Sequence, residues 1–165
     1  MSKPFVAIMM GSDSDLSTMQ TCIDTLKELG VAHEAHVLSA HRTPDLTANY
    51  VKEAEQRGCV IFIAAAGLAA HLAGAVAANT IKPVIGIPLD AGSLGGLDAL
   101  LATVQMPGGT PVATTTIGKA GAKNAAILAA EILAIQDSGL AEKLHGMRQT
   151  KREALQAADK KLQEA

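Results

Sequence analysis

Three short clusters in the 165-residue chain bring together groups that could do chemistry. The first, Gly11-Ser12-Asp13-Ser14-Asp15, ends an apolar run and leads straight into a helical pattern. Backbone N–H groups at a helix start, with two hydroxyls beside them, can hold an anion, and a carboxylate there can accept hydrogen bonds from ribose hydroxyls. Asp13 and Asp15 would repel a phosphate that they faced, so at least one must turn elsewhere. Simple capping by Ser and Asp uses the same residues with no ligand at all. The second cluster, Ser39-Ala40-His41-Arg42-Thr43-Pro44, sets a histidine beside an arginine just before another helix start. A guanidinium fork matches phosphate oxygens, and an imidazole can both give and take a proton near neutral pH. A His-Arg pair on a loop is also ordinary surface chemistry. The third cluster, Ala65 to Gly74, is small and apolar except for His71. Such a loop leaves backbone amides open to a ligand and builds a dry pocket suited to a neutral, weakly polar molecule such as carbon dioxide. His71 reads equally as a structural histidine.

Other chemistries lack their residues. No His, Cys, Asp or Glu cluster has metal-ligand spacing, and no GxSxG or Cys/His arrangement offers a covalent nucleophile. GSDSDL lacks the second and third glycines of GxGxxG, and the second strand ends in Leu38-Ser39 where an acidic ribose ligand would stand, so hydride transfer of the Rossmann type is disfavoured.

The elements that must position these clusters follow from hydrophobic periodicity. Pro4 to Met10, Val60 to Ala66 and Val84 to Ile87 are apolar, β-branched runs with Gly or Pro stops, which predict buried strands. Leu16, Met19, Ile23, Leu26 and Leu29 recur every three or four residues before Gly30, predicting a helix of about four turns with a left-handed cap. His33 to Leu38 reads as a second strand. Thr43-Pro44-Asp45 supplies an N-cap, a proline at the first helical position and an acid in the first turn of a helix running to Gly58. The alternation continues with helical Ala69 to Asn79, a helix around Leu97 to Val104, a short strand near Val112 to Thr115 and an Ala-rich helix from Ala122 to Gln136. Five alternations imply a parallel sheet covered on both faces, and in such sheets ligands bind beyond the carboxyl ends of the strands. After Gly139 comes a mixed-charge helix with Leu140, Leu144, Met147, Leu155, Ala158 and Leu162 on one stripe. It is expected to be too polar for the core and to pack on a neighbouring subunit, or else to fray in solvent.

Composition narrows the class. The length suits one domain burying roughly 70% of the surface its unfolded chain exposes. A net charge of −2 without a basic run gives no footprint for nucleic acid or an anionic membrane. The apolar stretch Phe5 to Met10 is too short for a signal-peptide core or a membrane span, so a cytoplasmic protein is expected. Cys22 and Cys59 lack CxxC partners and read as buried free thiols. With 31 alanines and 2% aromatics, each side chain buries little area, and packing against copies of the same chain is expected.

Five segments together, MGSDSD at 10–15, SAHRTP at 39–44, AAGLAAHLAG at 65–74, VQMPGGTPVAT at 104–114 and IGKAGAKNAAILAAEIL at 117–133, resemble the N5-carboxyaminoimidazole ribonucleotide mutase family. The likeness spans the chain to about Asp137. It implies a single domain over 1–165 with a flavodoxin-like three-layer αβα sandwich, a five-stranded parallel sheet and a C-terminal helical extension over 139–165. It further implies an octamer with sites between subunits, a small ribonucleotide substrate, and no cofactor or metal. By position, Ser12, Ser14 and Arg42 look like phosphate ligands, Asp15 a ribose ligand, and His41 the general acid/base. Ser39, Gly67, Ala70, His71 and Leu72 complete the expected substrate-binding set. The chain departs from the family's common GGAAHLPG loop at Leu68 and Ala73, and Gly108 stands where arginine is frequent. Related enzymes that carboxylate aminoimidazole ribonucleotide with free carbon dioxide carry a more polar third loop, so the mutase is favoured over that carboxylase and over a non-catalytic nucleotide-binding module.

Overall fold

The computed structural model describes residues 4–164; the remainder of the expected 1–165 domain, residues 1–3 and 165, lies outside the described residues. Five strands, β1 (Phe5–Met10), β2 (His33–Val37), β3 (Cys59–Ala66), β4 (Val84–Pro88) and β5 (Ala113–Thr114), form one sheet in the order β2-β1-β3-β4-β5, every pair parallel. Helices α1 (Leu16–Leu29), α2 (Pro44–Arg57), α3 (Leu72–Ala77), α4 (Leu97–Val104) and α5 (Gly118–Ala134) supply the crossovers, and α6 (Ser138–Gln163) extends the chain. This is the flavodoxin-like order, whose direction reverses between β1 and β3.

Strand alternation sorts the apolar side chains onto two faces. Ile8, Ile63 and Ile85 sit in register across β1, β3 and β4, and with Val6, Met10, Ile61 and Ile87 they pack under α1 and α5. Ala7, Met9, Phe62 and Ala64 point the other way, toward α2 and α3. Ile63 is fully buried, so truncation to alanine there would cost about 2–5 kcal/mol. Ala122, Ala125, Ala126, Ala129 and Ala130 of α5 are all fully buried, and their small side chains let that helix lie close to the sheet and α1.

The expected helix ends are in place: Gly30 and Gly58 cap α1 and α2 with φ of 75° and 102°. Both cysteines are buried and free, and burial raises their thiols to about 12 for Cys22 and about 11 for Cys59. Three expectations are corrected. Helix α3 starts only at Leu72, because Ala69 and Ala70 lie in the turn before it. Thr43 occupies the N-cap position but does not cap; its hydroxyl accepts from Ser39 N at 2.9 Å and donates to Ser39 O at 3.1 Å, bracing the second loop. The tail is not wholly excluded from the core, since Leu140 and Leu144 are buried in it and Met147 packs against it. Beyond Met147 every described residue is exposed, Leu155 and Leu162 included.

Candidate active site

At the carboxyl ends of β1 and β3, where strand order reverses, the loops after β1, β2, β3 and β4 enclose a cavity of about 490 Å³. All ten residues singled out from sequence belong to these loops or their first helical turn, and nine line the cavity. Ser12, Ser14 and Asp15 come from the first loop, Ser39, His41 and Arg42 from the second, and Gly67, His71 and Leu72 from the third. Ala70 does not join them: at 2% exposure it is buried beneath the third loop. Sequence reading named Leu68 only as a departure from the family loop, did not place Ala69 in the site, and missed Ala91 entirely. Ala91 follows the fourth strand, and extending the strand-end rule to that loop would have found it.

The first loop is held by its own polar groups. Ser12 Oγ accepts from Ser14 N, while Asp15 Oδ2 accepts from Ser12 N at 3.0 Å, a reciprocal capping box. Ser14 Oγ donates to Ser12 Oγ at 2.9 Å, and Asp13 Oδ1 accepts from Ser14 N at 3.0 Å. Both serine hydroxyls therefore remain at the cavity with bonds that a better acceptor could replace. Burial raises the pKa of Asp15, an effect opposed by the Ser12 N–H, the Ser14 hydroxyl and the charge of Arg42.

Arg42 bridges the first two loops. Its Nη2 donates to Gly11 O at 2.5 Å and its Nε to Ser39 Oγ at 3.4 Å, so the guanidinium is fixed beside the two serines. An anchored arginine, two hydroxyls and a turn of exposed N–H groups form an anion seat.

The second and third loops meet through their histidines. His41 Nε2 and His71 Nδ1 lie 2.7 Å apart across 30 residues of sequence, with the rings edge to face. Such a contact requires one nitrogen to donate and the other to accept. Among the described residues no group of His, Cys, Asp or Glu could hold a metal ion, and no helix is long and apolar enough to cross a membrane.

All three noted departures have clear places. Leu68 has φ of 56°, a conformation that glycine takes freely and other residues resist. A side chain at Gly108 would meet open space, so nothing in the fold itself forbids a larger residue there. Ala73, which stands for a common proline, is the second residue of α3 and buried, a helical position where proline is tolerated.

Known proteins share the sequence and the fold of this chain. The family model for AIR carboxylase matches residues 5–154. The N5-carboxyaminoimidazole ribonucleotide mutase of Bacillus subtilis is 53% identical over 95% of this chain and 98% of its own. The protein of the same name from Escherichia coli strain K12 is 50% identical over 87% of this chain and 85% of its own. The crystal structure of Treponema denticola PurE superposes with a TM-score of 0.87 at 29% identity, covering 97% of this chain and 99% of that one. On the strength of these matches the chain belongs to the AIR carboxylase family.

Proposed function

We propose that this chain converts N5-carboxyaminoimidazole ribonucleotide to 4-carboxy-5-aminoimidazole ribonucleotide, a step of purine biosynthesis. The observation that carries the reading is the His41–His71 contact at the mouth of a cavity that also holds an anchored arginine and two serine hydroxyls. In the reaction the exocyclic N–C bond breaks, the nitrogen takes up a proton, and carbon dioxide is released. The ring carbon then attacks the gas, a C–C bond forms, and that carbon loses its proton as aromaticity returns. One proton is taken up and one is given back, so a single acid/base serves both halves.

His41 is that group, with His71 as the partner that holds its ring and fixes which nitrogen carries hydrogen. Arg42, Ser12 and Ser14 take the phosphate, and Asp15 takes the ribose hydroxyls; a carboxylate resisting full burial gains by accepting those hydrogen bonds. The reading includes a cytoplasmic homo-octamer that needs no cofactor. An exposed stripe of Leu97, Leu101 and Val104 on α4, with Ile81 nearly fully exposed, gives such an assembly an apolar surface to cover.

The test supplies N5-carboxyaminoimidazole ribonucleotide together with labelled bicarbonate. Holding both fragments in place makes recombination effectively unimolecular, so early product should carry a largely unlabelled carboxyl. Rapid and complete uptake of label, or preference for aminoimidazole ribonucleotide plus bicarbonate, would replace the mutase with the direct carboxylase.

A further inference from the structure

Helix α2 begins without the cap its sequence offers. Thr43 stands at the N-cap position with φ −137° and ψ 53°, yet its side chain makes no capping bond to the helix. A threonine there ordinarily accepts from an N–H of the first helical turn, and that bond is forgone here. The hydroxyl turns back along the chain instead, accepting from Ser39 N at 2.9 Å and donating to Ser39 O at 3.1 Å. Thr43 N donates to the same carbonyl at 3.0 Å. One residue thus engages both backbone polar groups of Ser39 and closes a turn that contains only Ala40, His41 and Arg42.

That turn carries the groups the chemistry needs. Ser39 Oγ accepts from Arg42 N at 3.2 Å and from Arg42 Nε at 3.4 Å, so fixing Ser39 also fixes the guanidinium. His41 is exposed, so core packing does not hold it, and its ring meets His71 from wherever the turn sets its backbone. Beneath the turn Thr47 is buried, at 2% exposure, with its hydroxyl 3.3 Å from Ser39 O and 3.0 Å from Thr43 O. Thr43 itself is half-buried and does not line the cavity, so any effect on a substrate passes through its neighbours.

We propose that Thr43 is a positioning residue for the proton transfer: its hydroxyl clamps Ser39 and so sets His41 and Arg42 at the cavity. The proposal rests on the reading of His41 as the acid/base. Proton transfer needs hydrogen-bond reach, and a displacement of about 1 Å can cost roughly 10²-fold in rate. Without the hydroxyl, the Ser39 N–H loses its acceptor in a part-buried place and finds another only if the loop moves. The helix start gives up a cap, and the loop gains a fixed shape.

The experiment compares full-length wild type with Thr43→Val, which keeps the branched shape and removes the hydroxyl. Turnover at saturating N5-carboxyaminoimidazole ribonucleotide should fall at least about tenfold, and Thr43→Ser, which keeps the hydroxyl, should stay within about threefold of wild type. In a His41→Asn background the same Thr43→Val change should cost less than about twofold more, because a residue acting through His41 has nothing left to position. Wild-type turnover in folded Thr43→Val, or an undiminished loss in the His41→Asn background, would overturn the proposal. A second readout needs no turnover. In protein carrying nitrogen-labelled histidine, magnetic resonance should show His41 and His71 each in one fixed tautomer in wild type and an averaged pattern in Thr43→Val. Absence of turnover in wild type would defeat the reading of His41, while the clamp would stand on a loss of fixed tautomers in the variant and fall if they were unchanged. Should Thr43→Val fail to fold, Thr43→Ala lacks the same hydroxyl and is judged by the same measurements.

Discussion

Glu34 and Asp15 are both partly buried carboxylates near an arginine, yet their surroundings move them in opposite directions. On edge strand β2, Glu34 accepts from the Arg57 guanidinium, which chiefly lowers it to about 2 against the opposing effect of burial, and from the Tyr50 hydroxyl at 2.7 Å, which lowers it further. At the cavity, burial prevails and Asp15 is raised, because Arg42 directs its Nη2 to the Gly11 carbonyl and reaches the carboxylate only through its charge. A carboxylate satisfied by the fold strengthens the fold. One left short of partners has capacity for a ligand, and the comparison separates a stabilising cluster from a working one.

The strongest way to sharpen that contrast is to remove the group that does chemistry at the cavity. His41→Asn should lower turnover at least ~10²-fold, the lower range for a positioned acid/base. Its stability should change by no more than about 0.5 kcal/mol, because the residue is exposed. Near-normal steady-state turnover in the purified variant would remove His41 from the mechanism.

Next in size is Arg42→Lys, which replaces a two-pronged contact with a point charge and should weaken nucleotide binding about tenfold by calorimetry. The riboside lacking phosphate should lose little further affinity in this variant. Equal binding of riboside and nucleotide by wild type would show that Arg42 does not hold the phosphate.

The stabilising cluster should respond in the opposite sense. Glu34→Gln should leave turnover unchanged and lower stability at pH 7 by about 1–2 kcal/mol, discounted for partial exposure of the pair. Because the folded pKa is depressed, this contribution is present above the ordinary value of 4.5 and fades as pH falls through about 2. Urea unfolding of the two proteins should therefore converge in acid, and a gap that stays constant to pH 2 would show that Glu34 acts through something other than its charge.

Asp15→Asn should give the smallest effect on stability and the reverse pH trend. A raised folded pKa means that the carboxyl group's contribution is present below 3.8 and lost as pH rises through the folded value. The ligand-free variant should then gain up to about 0.5 kcal/mol at neutral pH while binding the nucleotide less well. A variant less stable than wild type at pH 7 would erase the distinction between the two carboxylates.

Much of this architecture is legible in the sequence because its signals are local. Gly30 and Gly58 mark helix ends, Pro44 marks a helix start, and the apolar run that stops at Gly11 already marks a buried strand. The strand-end rule then places Ser12, His41 and His71 around one cavity without knowledge of any distance. What sequence could not give is long-range or conformational. The His41–His71 contact depends on how far two loops lean over the sheet. The left-handed backbone of Leu68 runs against its residue type, and Gly92, against which its side chain lies, is 24 positions along the chain. Ala70 carries the same side chain as Ala69, and only the turn before α3 decides which of them is buried. For the tail, the stripe was visible but its division was not: Leu140 and Leu144 reach the core because Asp137 caps α6 and starts it close against α5, whereas Leu155 is about five turns from that anchor.

The Glu34 cluster also determines how the protein will look in ultraviolet light. The chain has one tyrosine and no tryptophan, so its intrinsic emission comes from a single phenol, Tyr50, hydrogen-bonded to a carboxylate and 4.4 Å from the His36 ring. A carboxylate acceptor dims an excited phenol by drawing away its proton. Folded protein at neutral pH should therefore be faint and should brighten when the chain unfolds or when acid neutralises Glu34, giving a label-free optical gauge of this one corner of the sheet. The cavity holds no such chromophore, and a nucleotide whose own absorption changes during the reaction can be followed there against an almost dark background.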